Sequence, residues 1–167
     1  MRCRERPVHG LLVGSGIHTQ PEYEKELRNH VTAEGLSEFI TFAGYRDDVA
    51  RLTQASDVLV ITSIAVEAQS RAAPQAFASL TPVVASTVGG LADLVRPGET
   101  GWLVPPARPD AYADALEEIL DNPEETALII AGARTFAETE LRIDNRMAAI
   151  LHVYESVAGE RPTLFFE

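Results

Sequence analysis

From Gly10 to Val104, short runs of apolar, β-branched residues alternate with amphipathic stretches. That rhythm predicts an α/β domain built on a parallel sheet. The first run, residues 10–13, is closed by Gly14-Ser15-Gly16. A helix is predicted over residues 21–34, where Tyr23, Leu27 and Val31 recur four apart on one face, and Gly35 stops it. Residues 39–42 read as the next strand, ended by Gly44, and residues 47–54 as a short helix with Val49 and Leu52 facing inward. Residues 58–61 form a strand apolar at every position, which suits burial on both faces. A helix beginning at Pro74 and running to residue 80, a strand over 82–85, a short helix over 90–95 and a last strand over 101–104 complete this part.

Beyond Val104 the pattern is purely helical. Tyr112, Leu116, Ile119 and Leu120 mark one helix. Asn122 is placed to cap the next, ahead of Pro123 at its first position, with Glu124 and Glu125 suiting the positive helix start. Ile143, Met147, Ile150, Leu151 and Tyr154 define a closing helix. One domain is expected over residues 1–158, and residues 159–167 are expected as a loose tail whose Leu164, Phe165 and Phe166 can dock on a neighbouring surface.

Composition narrows the function classes. A chain of 167 residues that is 46% hydrophobic and 23% charged fits one soluble globular domain. The formal net charge of −11 argues against a nucleic-acid partner, which draws on clustered Lys and Arg. It leaves room for a diphosphate, which needs only a few local donors. The single cysteine, Cys3, allows no intramolecular disulfide, so a cytoplasmic protein is expected. No apolar stretch approaches the roughly 20 residues of a membrane helix, and the charged N-terminus has no apolar run behind it, as a signal peptide would. His9, His18, His30 and His152 show no ligand spacing, and Asp47-Asp48 read as charges at a helix start rather than as metal ligands.

A more specific signal lies in the order of motifs. After the strand at 58–61 come Thr62-Ser63, Glu67 and Gln75, then Thr81-Pro-Val-Val-Ala85 and Val88-Gly-Gly-Leu91 with Leu94-Val95. Gly98-Glu-Thr-Gly-Trp-Leu-Val-Pro-Pro106 follows, and Leu12-Val-Gly-Ser-Gly16 and Phe42-Ala-Gly-Tyr-Arg46 precede. In this order and spacing, residues 10–157 resemble the C-terminal, donor-binding domain of group 1 glycosyltransferases, retaining enzymes of the GT-B fold. The resemblance implies a Rossmann-like parallel sheet flanked by helices, the C-terminal half of a GT-B fold.

It also implies roles. Glu67 stands at the family's first glutamate, the catalytic-site residue that contacts the donor sugar's hydroxyls; a carboxylate accepts from two hydroxyls at once. Gln75 stands at the second glutamate, which holds the ribose; the amide keeps an acceptor oxygen and loses the charge. Ala68, Gln69, Ser70 and Arg71 replace a stretch, commonly Gly-Phe-Gly, whose amides face the diphosphate. With the helix starting at Pro74, its positive end is displaced, and Ser70 and Arg71 are left as side-chain donors. Tyr45 and Arg46 fall where the family places the nucleotide base, although an exposed loop tyrosine is as good a reading of Tyr45. Gly14, Gly16, Ser63, Gly89 and Gly90 lie at the carboxyl ends of strands, where open α/β sheets bind ligands. Gly14 and Gly16 are equally well read as ordinary turn glycines.

The family's domain opens with a further strand and helix carrying a basic pair, and only nine residues precede Gly10 here. In the doubly wound order that first strand is central. The remaining strands must then close up, pair with another chain or leave the domain marginally stable. The implied activity is transfer of a sugar from a nucleoside diphosphate sugar to a glycan or lipid acceptor, with retention and without a cofactor or protein-held metal. The expected partners are that donor and a partner chain or an N-terminal acceptor domain. The alternatives are a non-catalytic nucleotide-sugar-binding remnant, one piece of a split enzyme and, further off, another GT-B enzyme such as a sugar-nucleotide epimerase.

Overall fold

The computed structural model describes residues 2–3, 6–15 and 21–158; Gly16 and the tail from residue 159 lie outside the described residues. A short antiparallel pair opens the chain, β1 (Arg2–Cys3) with β2 (Arg6–Pro7). Next, β3 (Gly10–Val13) pairs in parallel with β4 (Ile40–Gly44), with α1 (Pro21–Ala33) between them in sequence. After α2 (Val49–Gln54), a second parallel sheet runs in the order β5 (Leu59–Ile61), β6 (Val83–Ser86), β7 (Trp102–Val104). The helices α3 (Ala72–Ala78) and α4 (Leu91–Leu94) fall between these strands, and α5 (Pro109–Asp121), α6 (Pro123–Thr139) and α7 (Ile143–Ala158) follow.

The core is organised by β6, whose four residues are all buried. Successive side chains point to opposite faces. Val83 and Ala85 join a cluster with Ala76 and Phe77 of α3, Leu91 and Leu94 of α4, and Phe136 of α6. Val84 joins the opposite cluster, with Trp102 and Val104 of β7, Ala115 and Ile119 of α5, and Ile129 of α6. Helices on both faces of a parallel sheet are the arrangement the alternating pattern predicts.

Four expectations are corrected. β5 is not buried on both faces: Leu59 and Ile61 pack against one core cluster, whereas Val60 points to the opposite face, outside the cluster that covers β6 and β7 there, and is 39% exposed. α3 starts at Ala72, which puts Pro74 at the third helical position; amides of the first turn have no intrahelical acceptor, so proline is tolerated there. Asp48 occupies the N-cap of α2 without capping it, and its carboxylate turns to Arg46. Asn122 and Pro123 take the expected places at the start of α6, but the Asn122 amide donates backward to the Glu118 carbonyl at 2.9 Å instead of capping.

Among the described residues no ladder joins β3 to β5, so the strands have not closed up. Leu11 and Val13 on β3 stay exposed, as Val60 does on β5. The apolar face of α7 is likewise exposed, and none of that helix's residues is buried.

Candidate functional site

β5, β6 and β7 run parallel, so the loops leaving β5 and β6 emerge at the same sheet edge. The loop after β6 is tied down by two backbone bonds, Thr87 N–H to the Val104 carbonyl at 2.9 Å and Val88 N–H to the Ser86 carbonyl at 2.8 Å. It carries Gly89 and Gly90 against the loop after β5. There the Gly90 N–H donates to the Glu67 carbonyl at 2.9 Å. Gly89 has φ +52°, and a Cβ on it would stand 2.1 Å from the Glu67 carbonyl oxygen. A Cβ on Gly90 would stand 2.6 Å from the Ala68 carbonyl oxygen. Only glycine allows this approach. The Glu67 side chain is half-buried, and its Oε2 accepts from the Ser63 hydroxyl at 3.0 Å.

The structure therefore brings Ser63, Glu67, Ala68, Gly89 and Gly90 together, with Gln69, Arg71 and Gln75 exposed on the segment that follows. Ser70 departs from expectation. It is buried, and its oxygen accepts from the Ala73 N–H at 3.4 Å, so it supports the start of α3 rather than facing solvent as a phosphate donor. Gly14, Tyr45 and Arg46 sit on the other sheet. The Gly14 N–H donates to the Gly44 carbonyl at 2.8 Å, a ladder-end role. Tyr45 is 83% exposed. Arg46 is engaged by Asp48 through two bonds of 2.8 and 2.7 Å, and this partner holds the Asp48 carboxyl below its ordinary 3.8. Among the described residues, no three His, Cys, Asp or Glu side chains are grouped to hold a metal ion.

Sequence reasoning missed Tyr112. It reads as a core position of α5, yet its hydroxyl donates to the Ile61 carbonyl at 3.1 Å and pins the end of β5, just ahead of the Glu67 loop. Helical periodicity places the ring on the inward face but says nothing of where the phenol ends.

Residues 1–122 match the family model of the glycosyl transferases of group 1. The phosphatidyl-myo-inositol mannosyltransferase of Mycobacterium leprae (strain TN) is 36% identical over 162 residues, which are 95% of this chain and 40% of that protein. The chain thus spans about two fifths of that relative's length. The crystal structure of Anabaena Alr3699/HepE in complex with UDP superposes with a TM-score of 0.86 at 29% identity, covering 93% of this chain and 43% of the other. The C-terminal domain of a group 1 family protein (LpcC) from Francisella tularensis shares the fold, with a TM-score of 0.64 at 19% identity over 81% of this chain and 89% of that one.

Proposed function

The chain belongs to the group 1 glycosyl transferases and folds as the C-terminal half of a GT-B fold; from that premise we propose that it forms the donor-binding wall of a retaining sugar transferase. The donor is a nucleoside diphosphate sugar, and the acceptor is a glycan or lipid. The observation that carries this reading is the Glu67 carboxylate, fixed where the loops after β5 and β6 meet. Its free lone pairs accept from the sugar's hydroxyls. Gln75 takes the ribose through its amide oxygen. The amides of Ala68 and Gln69 and the exposed guanidinium of Arg71 face the diphosphate, whose geometry an arginine matches. That Alr3699/HepE was solved with UDP supports a nucleotide donor. The name of the mycobacterial relative supports an acceptor of the phosphatidylinositol type.

The reaction joins donor and acceptor in a cleft, and this chain supplies one wall. The second wall belongs to the part of the relatives that the chain does not span, whether in the same polypeptide or in a partner chain. The reading includes no cofactor and no protein-held metal, and it places the protein in the cytoplasm. Among the described residues no helix is long and apolar enough to cross a membrane. One feature favours a binding-only remnant instead: Gln75 brings no charge to the ribose site.

Calorimetric titration with UDP, GDP and ADP and with their hexose conjugates, alongside a donor-hydrolysis assay, tests both. The enzyme reading expects one nucleotide series to bind and turnover to vanish in Glu67→Ala. Binding without turnover supports the remnant, and binding of none of the series overturns both.

A further inference from the structure

Ser63 and Glu67 flank a loop that its apolar side chains do not hold. Ile64 is 67% exposed and Val66 84% exposed, so hydrophobic burial does not fix the turn between them. Two polar links do. The Ser63 hydroxyl donates to Glu67 Oε2 at 3.0 Å, and the Gly90 N–H donates to the Glu67 carbonyl at 2.9 Å. The first link sets the side chain and the second the main chain.

We propose that Ser63 is a positioning residue that acts through Glu67, holding the carboxylate in the rotamer that meets the donor sugar. The inference rests on the reading of Glu67 as the sugar-holding residue. A serine has one donor hydrogen, and in this geometry Glu67 receives it, so Ser63 offers no donor of its own to the ligand. Glu67 keeps Oε1 and the remaining lone pair of Oε2 for the sugar. An unrestrained glutamate side chain loses rotamer freedom when it is ordered by a ligand. Here the ordering is done before the sugar arrives, which is how preorganised groups gain affinity. The Gly89–Gly90 backbone completes the device, since its approach to Glu67 and Ala68 leaves the loop no room to slide toward β6.

The role predicts an effect confined to the sugar. Titrating UDP and UDP-glucose into the wild type, Ser63→Ala, Ser63→Thr and Glu67→Ala separates the possibilities. Ser63→Ala is expected to weaken UDP-glucose about tenfold while UDP stays within about twofold, the size expected for losing one hydrogen bond to a charged group. Ser63→Thr keeps the hydroxyl and restores the wild-type ratio of the two affinities, which also shows that the loop tolerates substitution. An equal loss for both ligands in Ser63→Ala means a merely structural residue and overturns the inference, as does an unchanged ratio. If Glu67→Ala shifts the ratio and Ser63→Ala does not, only the inference fails. If the wild type takes the GDP or ADP series instead, the same variants are titrated with that nucleotide and its hexose conjugate. If Glu67→Ala leaves the ratio unchanged, or the wild type binds none of the three series, the reading of Glu67 beneath it fails too.

Discussion

Gly89 carries two constraints at once, a left-handed backbone and a carbonyl oxygen where a methyl group would go. The first alone costs an ordinary L-residue about 1–2 kcal/mol. The second forces the Glu67 loop to move. Gly89→Ala is therefore expected to destabilise the domain by about 3 kcal/mol or more, read as a lower denaturant midpoint with an unchanged slope. A loss under about 1 kcal/mol would mean that the two loops are not in contact in solution. Gln75 offers the opposite experiment. Hydrogen bonds to a carboxylate are roughly twice as strong as those to an amide, so Gln75→Glu is expected to tighten nucleoside diphosphate binding about fivefold. Weaker binding would separate Gln75 from the ribose.

The element most at odds with its sequence pattern is α3. It begins two residues before its proline and ends at Ala78, and Leu80, the residue after its C-cap Ser79, has a φ of 59°, the left-handed conformation that closes a helix. The Thr81 N–H reaches back to the Ala76 carbonyl at 3.0 Å across that turn. Leucine is a poor residue for it, and Leu80 is exposed, so little packing is lost on its removal. Leu80→Gly is expected to raise stability by about 1 kcal/mol, the relief of left-handed strain less the added freedom of the unfolded chain. A lower melting temperature in that variant would show that Leu80 is packed. A proline-defined start was the natural reading of the sequence. Helix starts are decided by which amides find acceptors, however, and the Ser70 oxygen serves the Ala73 amide ahead of Pro74.

Across the whole molecule, stability is unevenly distributed. The β5–β6–β7 sheet has a core on each face, whereas β3 and β4 contain no buried residue. Amide exchange is expected to be slowest along Val83–Ser86, near the global unfolding limit, with Gly10–Val13 opening at a lower free energy. Equal protection of the two segments would show that the sheets open as one unit. The exposed Leu11, Val13 and Val60 have a common origin: the faces they point to lie outside both core clusters.

Local pattern alone determined the element order from Gly10 to Ala158, the glycine turns and the motif order that places the chain in its family. Periodicity, caps and turns depend on neighbours a few residues away, and those neighbours are in the sequence. That Glu67, Gly89 and Gly90 stand in loops at the carboxyl ends of strands was legible for the same reason. What the sequence could not show is which partner each side chain takes when several are within reach. Ser63 could have faced the donor, and it turns to Glu67. Arg46 could have faced the base, and Asp48 holds it. Ser70 points inward, and Tyr112 reaches from α5 to the end of β5. Val60 looked like a core residue because its own strand is apolar throughout, but burial is a property of what lies on the other side of the strand. The bonds of Ser63, Arg46 and Ser70 span only a few residues, but each side chain has several rotamers and partners to choose from. The Tyr112 bond and the exposure of Val60 depend on groups far apart in the chain, and the packed sheets and loops decide both kinds.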